Sequence, residues 1–167
     1  ELILIQALAK GDRDELAIQA ATELGAMGMV PWQAERSISR WEGPKIQKSV
    51  DRWQAIVDEA AKQALRVWNP PVAQPLTTKQ LAQAVKDFDL VLVLDTTADQ
   101  GLTGAELPNL GRVALVVGPE GGISQSELEL LEEAGAKRVH LGAPILRTST
   151  AGMAAISALQ ASLGNWA

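Results

Sequence analysis

Val113-Ala-Leu-Val-Val117 is an unbroken apolar run that ends abruptly at Gly118-Pro119-Glu120-Gly121-Gly122, after which Ser124-Gln-Ser-Glu127 opens a helical pattern. A strand that is apolar on both faces needs cover on both, which is the condition of a parallel strand inside an α/β sheet. The turn that follows brings bare backbone amides to the carboxyl end of that strand, where open parallel sheets bind their ligands. Gly118, Gly121 and Gly122 do not fit G-x-G-x-x-G, and no Gly-Lys-Ser/Thr follows. Neither a dinucleotide nor a triphosphate is therefore favoured.

The same pattern recurs along the chain. Apolar runs at 2–9, 27–32, 90–95, 113–117 and 138–142 alternate with helical stretches, which predicts a mostly parallel sheet with flanking helices. Helix signals are Gly11-Asp12 before 15–24, Thr77 or Thr78 before 79–88, and Ser124-x-x-Glu127 as a capping box before 128–133, with Gly135 as the stop. The segments 69–75 and 96–110 read as loops, the second long enough to move or to cover a site. A final helix over 149–164 is rich in Ala and Ser, suited to close packing on a sheet or on a partner helix.

Composition bounds the chemistry. With 167 residues and 47% hydrophobic content the chain can build one compact domain, 1–167, with a real core. It has no cysteine and one histidine, so no disulfide framework, thiolate metal site or histidine cage is expected. No apolar stretch approaches the roughly 20 residues of a membrane span, and the expected location is the cytoplasm. The start at Glu1, without methionine and directly before an apolar run, suggests a piece cut at a domain boundary.

A net charge of −5 argues against a polyanion partner, but its distribution softens the objection. Between Arg36 and Arg66 lie seven basic and four acidic side chains, so the remainder of the chain carries −8. Arg36, Arg40, Lys48, Arg52 and Arg66 are the RNA-binding candidates of this strip. A solvated helix face with pairs such as Lys48 with Asp51 explains the same pattern. Trp32, Trp53 and Trp68 sit at apolar positions and are expected in the core. Trp41, flanked by charge and turn residues, is the candidate for stacking on a base.

The Gly118–Gly122 turn and the later Leu141-Gly-Ala-Pro-Ile-Leu-Arg-Thr-Ser-Thr-Ala151 segment together resemble the 16S rRNA (uracil-N3) methyltransferase family of the SPOUT superfamily. Ala7-Leu-Ala-Lys-Gly-Asp-Arg13, Thr22-Glu-Leu-Gly25, Glu35-Arg-Ser37, Lys48 with Trp53, and Glu59, Ala60, Gln63 and Arg66 extend the likeness over nearly the whole chain. The resemblance implies a catalytic domain with a C-terminal trefoil knot, a homodimer through the knot region, and S-adenosyl-L-methionine as cofactor. It implies 16S rRNA, free or in the small ribosomal subunit, as substrate. Full-length members carry an N-terminal RNA-binding barrel to which nothing here corresponds. No membrane or metal is implied.

By the same resemblance the cofactor contacts fall on Leu94, Gly118, Glu120, Gly121, Gly122, Leu141, Gly142, Ile145, Leu146, Arg147, Thr148 and Ala151. Glu120 and Arg147 are the catalytic candidates, the acid to balance a sulfonium or hold a ribose hydroxyl, the arginine to clamp a phosphate or the substrate base. A macrodipole-favoured acid and a structural ion pair are their ordinary alternatives. The base that removes the imide proton stays open between Glu120 and anion stabilisation by Arg147, and His140 reads as structural. Thr148, Ser149 and Thr150 are candidates to cap the last helix through their hydroxyls, with contact of one of them to the substrate base as the other reading. Ala151, Ala154, Ala155 and Ala158 are candidates for a dimer face, with the internal core as the other reading. Pro144, Ser149 and Ala20 depart from the family's usual Arg, Glu and Lys and bear on substrate contacts. A methyltransferase of another RNA such as tRNA, and a non-catalytic dimer that binds RNA or an adenosyl ligand, are the alternatives.

Overall fold

Every apolar run becomes a strand, and all of them pair in parallel. The computed structural model describes residues 1–166. In chain order the elements are β1 (Leu2–Ala7), α1 (Arg13–Glu23), β2 (Gly28–Gln33), α2 (Pro44–Gln63), β3 (Leu76–Thr77), α3 (Thr78–Ala84), β4 (Leu90–Leu94), β5 (Val113–Val117), α4 (Gln125–Glu133), β6 (Lys137–Val139) and α5 (Thr148–Ser162). The strands form one sheet in the order β3-β2-β1-β5-β4-β6. Winding runs outward from β1 to β3, crosses to β4, and places β5 between β4 and β1. The direction reverses at the β1/β5 seam, the place where such sheets open a crevice at their carboxyl ends.

Period-two alternation sorts β1 between two cores. Leu4 and Leu8 face a layer with Ile18 of α1, Trp53 of α2 and Ile156 and Leu159 of α5. Ile5 and Ala7 face the opposite layer, with Trp32, Leu81 of α3 and Leu128 and Leu131 of α4. Fully burying a large apolar side chain contributes about 1.5–3 kcal/mol, so these two layers hold the sheet. In α2 the buried set Val50, Trp53, Val57, Ala60 and Ala61 forms one helical stripe, while Lys48 and Arg52 are exposed.

The expected capping box is present: Ser124 Oγ accepts the Glu127 N–H at 3.3 Å and Glu127 Oε2 accepts the Ser124 N–H at 3.2 Å. The two-residue strand β3 was not legible, being too short to show a period. The 96–110 segment is anchored to the sheet edge, and its first residue, Thr96, lines the cleft. Leu102 is buried, and β6 holds the segment through His140 N–H on Gln100 O and Leu102 N–H on His140 O, both at 2.9 Å.

Two tryptophan expectations are reversed. Trp41 is buried and stands edge-on to Trp53, ring centroids 5.1 Å apart, because the 38–43 turn folds it back onto α2. It is closed to a base. Trp68, expected in the core, is 55% exposed beyond the end of α2. Among the α5 alanines Ala155 is fully buried, and Ala151 and Ala158 pack on the same core, so their first role is internal.

Candidate functional site

A cleft of about 510 Å³ opens at the carboxyl ends of β4, β5 and β6. Leu94, Asp95 and Thr96 supply one side, Val117 to Glu120 with Gly122 and Ile123 another, and Val139 to Gly142, Pro144 to Thr148 and Ala151 the third, with Arg13 at the edge. The volume suits a small ligand, which needs roughly 300–1,000 Å³. The sheet itself does the assembling, since three strand ends far apart in sequence lie side by side in the order β5-β4-β6.

Of the expected cofactor residues, Leu94, Gly118, Glu120, Gly122, Leu141, Gly142, Ile145, Leu146, Arg147, Thr148 and Ala151 line the cleft. Gly121 does not. A Cβ there would stand 3.2 Å from Cβ of Arg36, so this glycine makes room for the arginine rather than for a ligand. Gly118 likewise serves packing, since its Cβ would fall 2.6 Å from Cγ1 of Ile123. Gly122 carries the positive φ, +74°, that the turn requires.

Hydrogen bonds fix the turn from several directions. Glu120 Oε1 accepts the Lys10 N–H at 2.8 Å and Nη1 of Arg13 at 2.9 Å. Arg36 Nη1 donates to Gly121 O at 3.1 Å, and Thr148 Oγ1 donates to Gly118 O at 2.7 Å. Behind it, Glu127 Oε1 accepts the Glu35 N–H at 2.8 Å and Ser124 Oγ donates to Glu35 at 2.6 Å, seating the arginine's own segment on the start of α4. Partial burial pushes the Glu120 carboxyl up, but its own backbone N–H, Arg13 and Lys10 outweigh that and hold it below its ordinary range. A carboxylate held that firmly in its charged form is a poor proton acceptor. Its chemistry here is charge and anchorage.

Arg147 differs. Its carbonyl starts α5 by accepting the Thr150 and Ala151 N–H groups, both at 2.9 Å, and among the described residues its exposed guanidinium makes no hydrogen bond or ion pair. The expected hydroxyl cap is corrected by this geometry. Arg147 occupies the N-cap position without a side-chain cap, Thr148 bridges elsewhere, and the Thr150 hydroxyl donates back to Arg147 O at 3.1 Å. His140 lines the cleft and its Nδ1 accepts the Gly142 N–H at 2.9 Å, a bond that requires the unprotonated nitrogen.

Asp95 at the end of β4 is held below the ordinary carboxylate range. Burial raises it, but bonds from Thr97 and the Arg138 guanidinium prevail. Arg138 Nε donates to it at 2.8 Å, closing the β4/β6 edge under the cleft. Beneath the Lys10 loop, Asp14 is buried and its carboxyl is pushed up to about 6 by desolvation, against the Ala9 and Glu15 N–H bonds that oppose it.

The five RNA-binding candidates do not form one strip. Arg36 and Arg40 lie on the exposed turn after β2, with Arg40 Nη2 on Glu35 O at 2.9 Å, next to the glycine turn. Lys48 is exposed on α2, and Arg52 is paired with Glu15 of α1. Arg66 is half-buried and its guanidinium donates to the carbonyls of Thr22, at 3.0 Å, and Ala26, which ties the end of α2 to the α1–β2 connection. Arg13 lines the cleft edge and the Lys10 N–H holds Glu120 beside it; both were legible only as part of the family-like 7–13 stretch and carried no role there.

Fold and cleft together define a parallel α/β protein that takes a small ligand at the carboxyl ends of its central strands. The chain belongs to the RNA methyltransferase domain family, whose model matches residues 1–160. It is similar to the ribosomal RNA small subunit methyltransferase E of Mycobacterium bovis, 42% identical, over 98% of this chain and 64% of that protein. With the Bacillus subtilis protein of the same name it is 37% identical, over 95% of this chain and 65% of that one. The chain thus spans just under two-thirds of the length of these relatives. A crystal structure of a ribosomal RNA small subunit methyltransferase E from Neisseria gonorrhoeae bound to S-adenosyl methionine matches with a TM-score of 0.87 at 34% identity, covering 97% of this chain and 66% of that one.

Proposed function

We propose that this chain is an S-adenosyl-L-methionine-dependent methyltransferase domain acting on N3 of a uridine in 16S rRNA, in the cytoplasm, on the free RNA or the small subunit. The observation that carries the reading is the cleft. Eleven of the twelve residues assigned to the cofactor by resemblance line one cavity built from three separate segments. The residues fit the group: Leu94, Leu141, Ile145 and Leu146 offer apolar surface for an adenine, the glycine turn offers backbone groups, and Glu120 offers negative charge. The names of the relatives point the same way, including the bound S-adenosyl methionine of the Neisseria structure.

When bound, the cofactor supplies an electrophilic methyl group on a sulfonium. The chain's part is alignment and charge. Leu94, Gly122, Leu141 and Gly142 wall the cleft and would hold the cofactor there; alignment of its methyl group with the uracil nitrogen would supply much of the acceleration of a displacement. Glu120, kept ionised by Arg13 and the Lys10 amide, balances positive charge. Arg147, without a partner among the described residues, holds the negative charge that the uracil carries once its N3 proton has left to water. Arg36, Arg40 and Lys48 are the phosphate contacts of this reading; Arg52 and Arg66, engaged within the protein, contribute through the α1–α2 packing they secure. A homodimer through the knot region and the threading of α5 into a trefoil knot belong to the same proposal by resemblance to the family, and the exposure of Ile145 (79%) leaves apolar surface for a partner.

Calorimetric titration with S-adenosylmethionine is expected to saturate at about one ligand per chain, since the assigned residues meet in one cleft. Isotopically labelled methyl groups should then appear as 3-methyluridine in 16S rRNA and not in tRNA. A folded chain that gives no binding heat, or label found in tRNA alone, would overturn the reading.

A further inference from the structure

Gln6 is out of place in its own strand. β1 reads Leu-Ile-Leu-Ile-Gln-Ala, lies between β2 and β5, and buries Gln6 completely. Leu or Met at that position would meet the same core without a polar group to satisfy, and an amide taken out of water destabilises the fold unless its atoms find partners. Here one does not. Nε2 donates to Ala7 O at 3.1 Å and to Thr148 Oγ1 at 2.9 Å, while Oε1 has no partner among the described residues and faces α5 near Gly152, whose Cβ would lie 3.9 Å away.

The orientation is dictated by the neighbours. Thr148 Oγ1 uses its single proton on Gly118 O at 2.7 Å, so towards Gln6 it can only accept. Ala7 O also accepts. Both contacts demand the NH2 group, and the oxygen is left without a donor. The result is a chain of two hydrogen bonds that runs from the centre of the sheet, through the first residue of α5, to the first residue of the glycine turn. It joins three segments of the fold, Gln6 and Thr148 being 142 positions apart in sequence.

Two of those segments wall the cleft, and the third, β1, lies beside β5 behind it. Gly118 begins one wall, and Thr148 ends the exposed run that forms the other. Without the amide, Thr148 would keep its bond to Gly118 but lose the link that ties both to the rigid strand below. We infer that Gln6 is a positioning residue for the proposed methyl-transfer site: its buried amide, acting through Thr148, fixes the start of α5 and the glycine turn relative to one another, at a cost to the stability of the sheet. Its part in catalysis rests on the methyltransferase reading; the clamp itself does not.

The signature is a separation of stability from function. Gln6→Met keeps the volume, removes the amide and relieves the orphaned oxygen. The melting temperature should hold or rise, while amide hydrogen exchange at Thr150 and Ala151 accelerates and the Kd for S-adenosylmethionine rises by about tenfold or more, the scale of one lost hydrogen bond. Thr148→Val, which leaves the strand untouched, should loosen the same amides. The double variant should be no worse than Thr148→Val alone, because the two side chains act as one unit. Exchange and affinity at wild-type values in either single variant would overturn the inference. So would a loss of affinity that merely tracks a lowered melting temperature with faster exchange across the whole sheet. If the wild-type chain binds no S-adenosylmethionine yet Gln6→Met still frees the start of α5, the clamp stands and the methyltransferase reading falls.

Discussion

The two walls of the cleft are built on opposite principles. Residues 118–122 are held by Lys10, Arg13, Arg36 and Thr148 from elements on either side, through the carbonyls of Gly118 and Gly121 and the carboxylate of Glu120. Residues 142–147 are exposed throughout and, among the described residues, their cross-links are the Gly142 N–H on His140 and the carbonyl of Arg147 at the start of α5. A wall braced on all sides sets the shape of a ligand in advance, whereas an open one is free to adapt to a substrate that arrives later. In the proposed reaction the braced wall would give the cofactor a fixed seat, while the open wall, which carries Ile145, Leu146 and Arg147, is left free to adjust around it.

The contrast is broken most forcefully at Gly118. Gly118→Val drives its side chain into Ile123, since the Cβ alone would sit 2.6 Å away. Overpacking of this kind costs about 1–3 kcal/mol in stability, and displacement of the turn should reduce S-adenosylmethionine affinity by roughly 100-fold in a calorimetric titration. Gly121→Val is the informative neighbour, because it should displace Arg36 rather than fill the cleft.

The footing of the braced wall carries the next largest effect. Asp14, whose carboxyl holds the Ala9 N–H below the Lys10 loop, is raised from 3.8 to about 6 in the folded protein. The folded state therefore binds this proton more tightly than the unfolded chain. The stability so gained is fully present below about pH 3.8 and is lost as the pH rises through about 6, in all about 2–3 kcal/mol. Urea unfolding of wild type against Asp14→Asn between those pH values should show a slope that the variant lacks. Glu120 and Asp95, both lowered, act in the opposite sense and at lower pH, where protonation removes their ion pairs.

Substitutions in the open wall sharpen the comparison from the other side. Gly142 has φ +105° but no atom within 4 Å of where a Cβ would stand. Gly142→Ala should cost about 1–2 kcal/mol through the backbone alone, with cofactor affinity falling less than in Gly118→Val. Ile145→Ser should leave thermal stability within about 0.5 kcal/mol, because the side chain is 79% exposed in the monomer. If Ile145 lies in a homodimer interface, sedimentation of the variant should show the monomer at concentrations where wild type is paired.

Periodicity and turn chemistry are local, and what they govern could be read from the chain. Five of the six strands, the Ser124/Glu127 capping box and the Gly135 stop stand where the sequence placed them, within a few residues at the ends. Three cleft segments were legible through their likeness to a family. Arg66, Trp41 and Trp68 show the limit: a charge or a ring in a polar or apolar neighbourhood of sequence does not reveal whether a carbonyl or another ring waits across the fold.

The amino-acid sequence by itself determined a parallel α/β sheet, a glycine turn at the end of a buried strand and the family to which both belong. Only the tertiary structure decided that Gly121 faces Arg36 and not the cleft, that Glu120 is anchored by Lys10 and Arg13, and that Gln6 reaches Thr148. The physical reason is separation along the chain. Helical and strand periods span a few residues, while a hydrogen bond between positions 6 and 148 exists only after β1, β5 and α5 have come together, and no local pattern encodes that meeting.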